Sequence, residues 1–461
     1  MSKRSRLADL RQATRRGWRR FKCCHRRART RDPYRARPLL PPDPTIEHIV
    51  RYVKKMAGGR VPPPPPVEGR CVTLRVPVRF SLAQAPNESF PFLSALVRAL
   101  DQVWAPLLQL DYANCEQVDL DASVFMDAIL RLFIKRHNLL RHHYREKAVT
   151  CGIRAINMKR KSVAKFFWSI GAGQSVHGLQ LQFPNTLVCP LQTGRQDPKR
   201  LGRNEVTVTA LFEHLEKCLH RFGKQLTPRD AERFGDILGE VLDNAEQHSS
   251  LPYNYAIAHF EEHHESNDSP ATSPVDGPEK SPPDHYGRFQ IAIFNFGQTI
   301  YERLNDEKAC LNGAQILPQM KALSEHYTKR RWFGLASRPF EEETLWTLYT
   351  LQDGVSSLRP DRGRGTIRFI TDFLALRSKS QNKKSLLTLM SGQTRIHFDG
   401  SYGIVTAENS YGDRQRRITF NESNSLNEPP DPRVVTFVPH YLPGTLLYAD
   451  IYLTDDHLQS A

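Results

Sequence analysis

The chain has 461 residues, of which 39% are hydrophobic and 9% aromatic, enough apolar material for two or three domains with cores of their own. No apolar run approaches the roughly 18 to 20 residues needed to span a bilayer, and no apolar stretch follows the N-terminal arginines. Neither a membrane anchor nor a secretory signal is therefore expected, and the expected setting is the cytoplasm. The net charge of +16 is uneven: residues 1–60 hold 19 Lys and Arg against 4 Asp and Glu, leaving 46 basic and 45 acidic residues elsewhere.

Residues 1–69 read as a mostly disordered basic tail, with arginine clusters around Trp18 and five consecutive prolines at 62–66. Too few apolar residues and too much like charge oppose a core, and the prolines favour an extended spacer. Only 45–56 has the pattern of a short helix. Such a tail suits unspecific contact with nucleic acid or an anionic surface. The eight cysteines include the adjacent Cys23 and Cys24 but no C-x-x-C pair, which argues against zinc or a disulfide framework and for buried reduced thiols.

From Cys71 the pattern changes. Val72, Leu74, Val76, Val78 and Phe80 alternate with polar residues and Pro77, the period of a half-buried strand. A helix is expected around 90–100, a strand at 107–112, a helix at 121–136, a strand at 152–157 and a helix at 159–170. This alternation over 70–186 predicts a small α/β domain. The irregular stretch around 190–204 reads as a boundary. Helices follow at 207–222 and 228–249, the second started by Thr227 as cap, Pro228 in the first turn and Asp230 beside it. Strands recur at 253–261 and 289–294 around a Ser/Pro/Asp-rich insert, 264–286, expected to be a flexible loop. A largely helical run, 299–371, precedes strands at 386–391, 395–398, 403–406, 417–420 and 446–453. Helices first and antiparallel strands afterwards predict an α+β two-layer sandwich over 205–455.

On the 228–249 helix, Glu240, Asn244 and His248 recur every four residues and share one face. Phe234, Ile237, Leu238, Val241, Leu242 and Ala245 cover the inward side. Downstream, the apolar strand 289–294 ends in Asn295, Phe296, Gly297, Gln298 and Thr299, with a glycine where a ligand can approach the backbone. Further on, Gly363, Arg364, Gly365 and Thr366 open a helical run, a place where free N–H groups favour an anion. Taken singly, these read as an ordinary solvated helix face and ordinary turns.

In this order, with Pro443, Gly444 and Thr445 leading into a closing strand, the pieces resemble the ATPase domain shared by DNA gyrase, histidine kinases, MutL and a heat-shock chaperone. This is the histidine-kinase-like (GHKL, Bergerat) fold. The stretch Glu240 to Asn244 looks like the family's N box, Asn295 to Thr299 like its first glycine box and Gly363 to Gly365 like its second. The resemblance implies binding of ATP with Mg²⁺, Asn244 supplying an oxygen to the metal and Glu240 acting as general base. Asn244, His248, Asn295, Gly297, Thr299, Gly363, Arg364, Gly365, Thr366 and Thr445 would then line the nucleotide. The segment holding Lys329, Arg330, Arg331 and Trp332 would be a lid. More loosely, 71–184 looks like the STAS-like region that precedes this ATPase in a group of bacterial proteins. The chain departs from the family at Asn295, where an aspartate usually reads the adenine amine; an Asn amide both accepts and donates.

Three functions fit this reading. The first is an ATP-dependent conformational switch with slow hydrolysis, sensed by a protein partner. The second is a protein kinase of the anti-sigma-factor or histidine-kinase type, with Ser123 as a STAS-type phospho-acceptor or as a plain helix cap. The third is a non-catalytic module whose tail binds nucleic acid while the ATP fold is degenerate.

Overall fold

The computed structural model describes residues 43–59, 67–68, 71–102, 107–144, 152–175, 177, 182–195, 203–262, 287–306, 308–310, 312, 317–318, 320–325, 341–355, 365–377, 385–408 and 414–461. The arginine clusters, the proline run, the 264–286 insert, the expected lid residues 329–332, and Gly363 and Arg364 lie outside the described residues.

The chain builds two main sheets. In the first, β1 (Val67–Glu68) pairs antiparallel with β2 (Cys71–Arg75), which pairs in parallel with β3 (Leu107–Asp111), and β3 with β4 (Gly152–Ile156). Helices α2 (Pro86–Gln102) and α3 (Leu120–Tyr144) make the crossovers that parallel pairing requires, and α4 (Lys161–Ser169) follows β4. β2 ends before Pro77, which has no N–H to give to a ladder, and pairing resumes only at Arg79–Phe80.

The second sheet has five strands in the order β8-β9-β7-β6-β5, all antiparallel: β5 (Gln192–Arg195), β6 (Tyr253–Glu262), β7 (Gly287–Phe296), β8 (Leu386–Phe398) and β9 (Val435–Leu453). β5 occupies part of the stretch expected to be a boundary, where its Gly and Arg hide a four-residue edge strand. β9 runs 19 residues rather than starting at 446. Pro439, Pro443 and Gly444 obscure it in the sequence. The chain absorbs them through a shift of register, from Ser391 opposite Thr445 to Gly392 opposite Leu442.

Both faces of this sheet are covered. Ala256, Ala258, Phe289, Ile291, Ile293, Leu387, Leu389, Leu447 and Ala449 face a helical layer of α5 (Arg203–His220), α6 (Pro228–His248) and α9 (Gly365–Ala375). Tyr255, Ile257, Ala292, Phe294, Phe296, Leu446 and Tyr448 belong to a different core, shared with the N-terminal elements. The mixed α/β architecture fits the expected α+β class. The sandwich is not left with a bare sheet face, because the preceding region packs on it.

Residues 44–56, assigned to the tail on composition, form α1 (Pro44–Met56). Asp43 caps it, its Oδ1 accepting from the N–H groups of Thr45 at 2.9 Å and Ile46 at 3.2 Å. A 13-residue helix is marginal alone, but Ile46, Ile49, Val53 and Met56 are buried in the core shared with the sheet. The short helix expected at 45–56 is therefore present, and it belongs to the core rather than to the tail. The described cysteines are free thiols: Cys115, Cys189, Cys218 and Cys310 are buried and Cys71 half-buried. No helix among the described residues is long and apolar enough to cross a membrane.

Candidate functional site

α6 begins as its sequence implies, with Thr227 Oγ1 accepting from the Asp230 N–H at 3.3 Å and Pro228 in the first turn. Phe234, Ile237, Leu238, Val241 and Leu242 are buried toward the sheet. Glu240 and Asn244 are half-buried on the helix, and neither side chain has a hydrogen-bond partner among the described residues. His248 is the last residue of α6; its side chain lies outside the described part.

Glu240 meets the start of α9. A Cβ built on Gly365 would lie 2.1 Å from Glu240 Oε2, so the glycine backbone and the carboxylate are in direct contact. The first residues of a helix carry N–H groups with no intrahelical partner and the positive end of its dipole, so this is a favourable place for negative charge. Thr366, in the same first turn, is half-buried. Burial, then repulsion from Asp243, raises the Glu240 pKa above the usual carboxylate range, with Arg368 opposing. Arg368 is itself paired with Asp236 and lies 4.0 Å from Asp372. The immediate surroundings of Glu240 are therefore rich in carboxylates.

The other expected residues assemble at one end of the five-stranded sheet. β7 places Asn295 opposite Asn254 of β6 and Thr445 of β9, and β9 places Thr445 opposite Ser391 of β8. Strand alternation puts all four on the helix-covered face, in register with Ala256, Ile293, Leu447 and Leu389. The apolar face thus ends in a polar row, Asn254-Asn295-Thr445-Ser391, in which Asn295 is 4% and Asn254 6% exposed. Ser391 Oγ and Thr445 Oγ1 are 3.0 Å apart and hydrogen-bonded, whereas the Asn254 and Asn295 amides have no hydrogen-bond partner among the described residues. Asn254 leans over Gly194 of β5, where a Cβ would lie 1.7 Å from its Oδ1. The sequence reading had Asn295 and Thr445 but missed Asn254 and Ser391. Counting by twos from Ala256 and from Leu389 would have found both as polar residues at inward positions.

The turn after Asn295 has a structural explanation of its own. Gly297 has φ +140°, and a Cβ on it would lie 2.5 Å from Ser250 Oγ. The close approach expected of a ligand is made here by Ser250. The backbone N–H groups are all taken up by the protein: Gly297 to the Pro443 carbonyl at 3.1 Å, Gln298 to Ser250 Oγ at 2.7 Å and Thr299 to Glu302 Oε2 at 3.1 Å. Thr299 caps α7 (Ile300–Asn305) in a reciprocal capping box with Glu302. A direct ligand contact by Gly297 or Thr299 would have to use their remaining atoms.

Ser123 lies in the first turn of α3, fully buried, its hydroxyl donating to the Leu120 carbonyl at 3.1 Å. That burial disfavours it as a phospho-acceptor. Among the described residues no group of three or more His, Cys, Asp or Glu side chains is placed to hold a metal ion.

The chain matches no known family model, no curated protein and no solved structure. The likeness to histidine-kinase-like ATPases therefore rests on the order of the motifs in the sequence.

Proposed function

We propose that the chain is an Mg²⁺- and ATP-binding protein of the histidine-kinase-like type, an ATP-dependent conformational switch with slow hydrolysis. The observation that carries this reading is the contact between Glu240 on α6 and Gly365 at the start of α9. Both helices belong to the layer covering the sheet face that ends in the buried polar row around Asn295.

On this reading Asn244 offers one neutral side-chain oxygen to Mg²⁺, and phosphate and water oxygens complete the shell that this hard ion requires. The free N–H groups at the start of α9 cradle phosphate, and Thr366 lies in the same turn. Asn295, with Thr445 beside it, reads the base. Glu240, held above the ordinary carboxylate range by burial, takes a proton from water. The N-terminal region packed on the opposite sheet face, whose sequence resembles a STAS-like region, is the element that senses occupancy. A kinase reading gains nothing from Ser123, which is enclosed.

The test is incubation of the full chain with labelled ATP and Mg²⁺, scoring free against protein-bound phosphate. Free phosphate is expected, falling by about 10² to 10⁴ in Glu240→Gln while binding persists. Protein-bound phosphate would favour the kinase, and no binding at all would leave a non-catalytic module.

A further inference from the structure

Flanking its apolar side, α1 carries His48, Tyr52 and Lys55, spaced to project together. Tyr52 Oη donates to Glu302 Oε1 at 2.7 Å, and Tyr441 Oη donates to the same oxygen at 2.7 Å. The two tyrosine rings stack with centroids 4.6 Å apart, and Lys55 Nζ lies 5.4 Å from one centroid and 5.0 Å from the other. The His48 ring lies beside the Gly297 and Pro443 carbonyls. Helix α1 therefore rests on the turn that follows Asn295.

From Glu302 the hydrogen bonds continue inward. Its Oε2 accepts from the Thr299 N–H at 3.1 Å, the next N–H, of Ile300, donates to Ser391 Oγ at 2.9 Å, and Ser391 Oγ bonds Thr445 Oγ1 at 3.0 Å. Two sets of hydrogen bonds, joined through the Thr299–Ile300 backbone, thus link Tyr52 on α1 to the polar row that holds Asn295. A carboxylate with three donors has its rotamer fixed, and removing one donor frees the group that sets the start of α7.

We infer that Tyr52 is a positioning residue for the nucleotide site: its hydroxyl, acting through Glu302, holds the 297–300 turn and thereby the alignment of Ser391 and Thr445 beside Asn295. The inference rests on the nucleotide-binding reading above. It makes α1 part of the site's regulation, because whatever displaces α1 loosens the base-reading end. The protein's basic N-terminal residues connect directly to this helix.

The experiment measures Mg·ATP affinity and the unliganded melting temperature of the full chain in three forms: wild type, Tyr52→Phe and Tyr301→Phe. The first substitution keeps the ring stack and burial and removes only the hydroxyl. The second removes a neighbouring hydroxyl on α7 that bonds Glu342 at 2.7 Å instead. Expected are an affinity about 5 to 10-fold weaker in Tyr52→Phe, a nearly unchanged melting temperature and normal affinity in Tyr301→Phe. Wild-type affinity in Tyr52→Phe, with or without a lower melting temperature, overturns the inference and leaves the nucleotide reading standing. Equal weakening in both variants overturns it as well, since the effect would not be specific to Glu302. Failure of the wild type to bind nucleotide overturns both.

Discussion

Gly365 and Glu240 touch: the position of a Cβ on the glycine falls 2.1 Å from the carboxylate Oε2. Gly365→Ala consequently pushes a flexible carboxylate aside rather than striking backbone. Its φ is not in the left-handed region, and alanine favours a helix by up to about 1 kcal/mol over glycine. The expected result is an unchanged or slightly raised melting temperature with weakened Mg·ATP binding and reduced phosphate release. Loss of the fold would mark the glycine as purely structural, and unaltered binding would remove Glu240 from the site. Calorimetry and a nucleotide titration on the same preparation decide between these.

Asn295 sits where discrimination between purines is read most directly. An amide rotates to present either oxygen or NH₂, so wild type is expected to separate ATP from GTP only modestly. Asn295→Asp can only accept while ionised, and a position 4% exposed raises a carboxyl pKa, so the comparison belongs at pH 8. The ATP preference should sharpen there, by at most about 1.5 to 3 kcal/mol. An unchanged ATP-to-GTP ratio would mean that residue 295 does not face the base.

The N-terminal basic region and α1 separate cleanly in a deletion series. Removing residues 1–42 should leave the melting temperature and nucleotide affinity as they are and abolish salt-sensitive binding to polyanions. Removing 1–69 also takes away Ile46, Ile49, Val53 and Met56. Burying side chains of this size contributes roughly 1.5 to 3 kcal/mol each, so a large loss of stability is expected. Two truncations of equal stability would show that α1 contributes little to the core.

Much of this was legible from periodicity. The α6 helix, its Thr227 cap and the β6–β7 pair follow from apolar spacing, because their inward faces are continuous. Three features resisted for identifiable reasons. The α1 helix was expected, but its place in the core was not, because the charge of the surrounding region assigns it to the tail. β9 is broken in the sequence by Pro439, Pro443 and Gly444, and only pairing with β7 and β8 keeps it extended. Asn254 and Ser391 are legible locally as polar residues at inward strand positions, but only register sets them beside Asn295 and Thr445.

Asp121 supplies a pH dependence. It is buried beneath the sheet, accepting from the Ala83 N–H at 2.7 Å, and burial followed by repulsion from Asp119 pushes its pKa from 3.8 up to about 7. Between these values the folded protein holds a proton that the unfolded chain has released. This group therefore makes stability fall as pH rises from about 4 to about 7, by at most about 1.4 kcal/mol per unit, and adds no slope above that. His177 and His259, kept neutral by burial down to about 3, act in the opposite sense below 6.5. The difference between wild type and Asp121→Asn isolates the carboxyl. The variant is expected to gain stability relative to wild type between pH 5 and 8 in urea unfolding; parallel curves would contradict a raised pKa.

The central claim is that this fold binds nucleotide through the α6 stripe, and the most direct measurement is a calorimetric titration of the full chain with Mg·ATP. Wild type and Asn244→Ala are compared at matched melting temperature. The account expects saturable binding in wild type that depends on Mg²⁺ and is at least about 10-fold weaker in the variant, the loss of one metal-ligating oxygen. No binding in wild type, or equal binding in the two proteins with and without Mg²⁺, would contradict it.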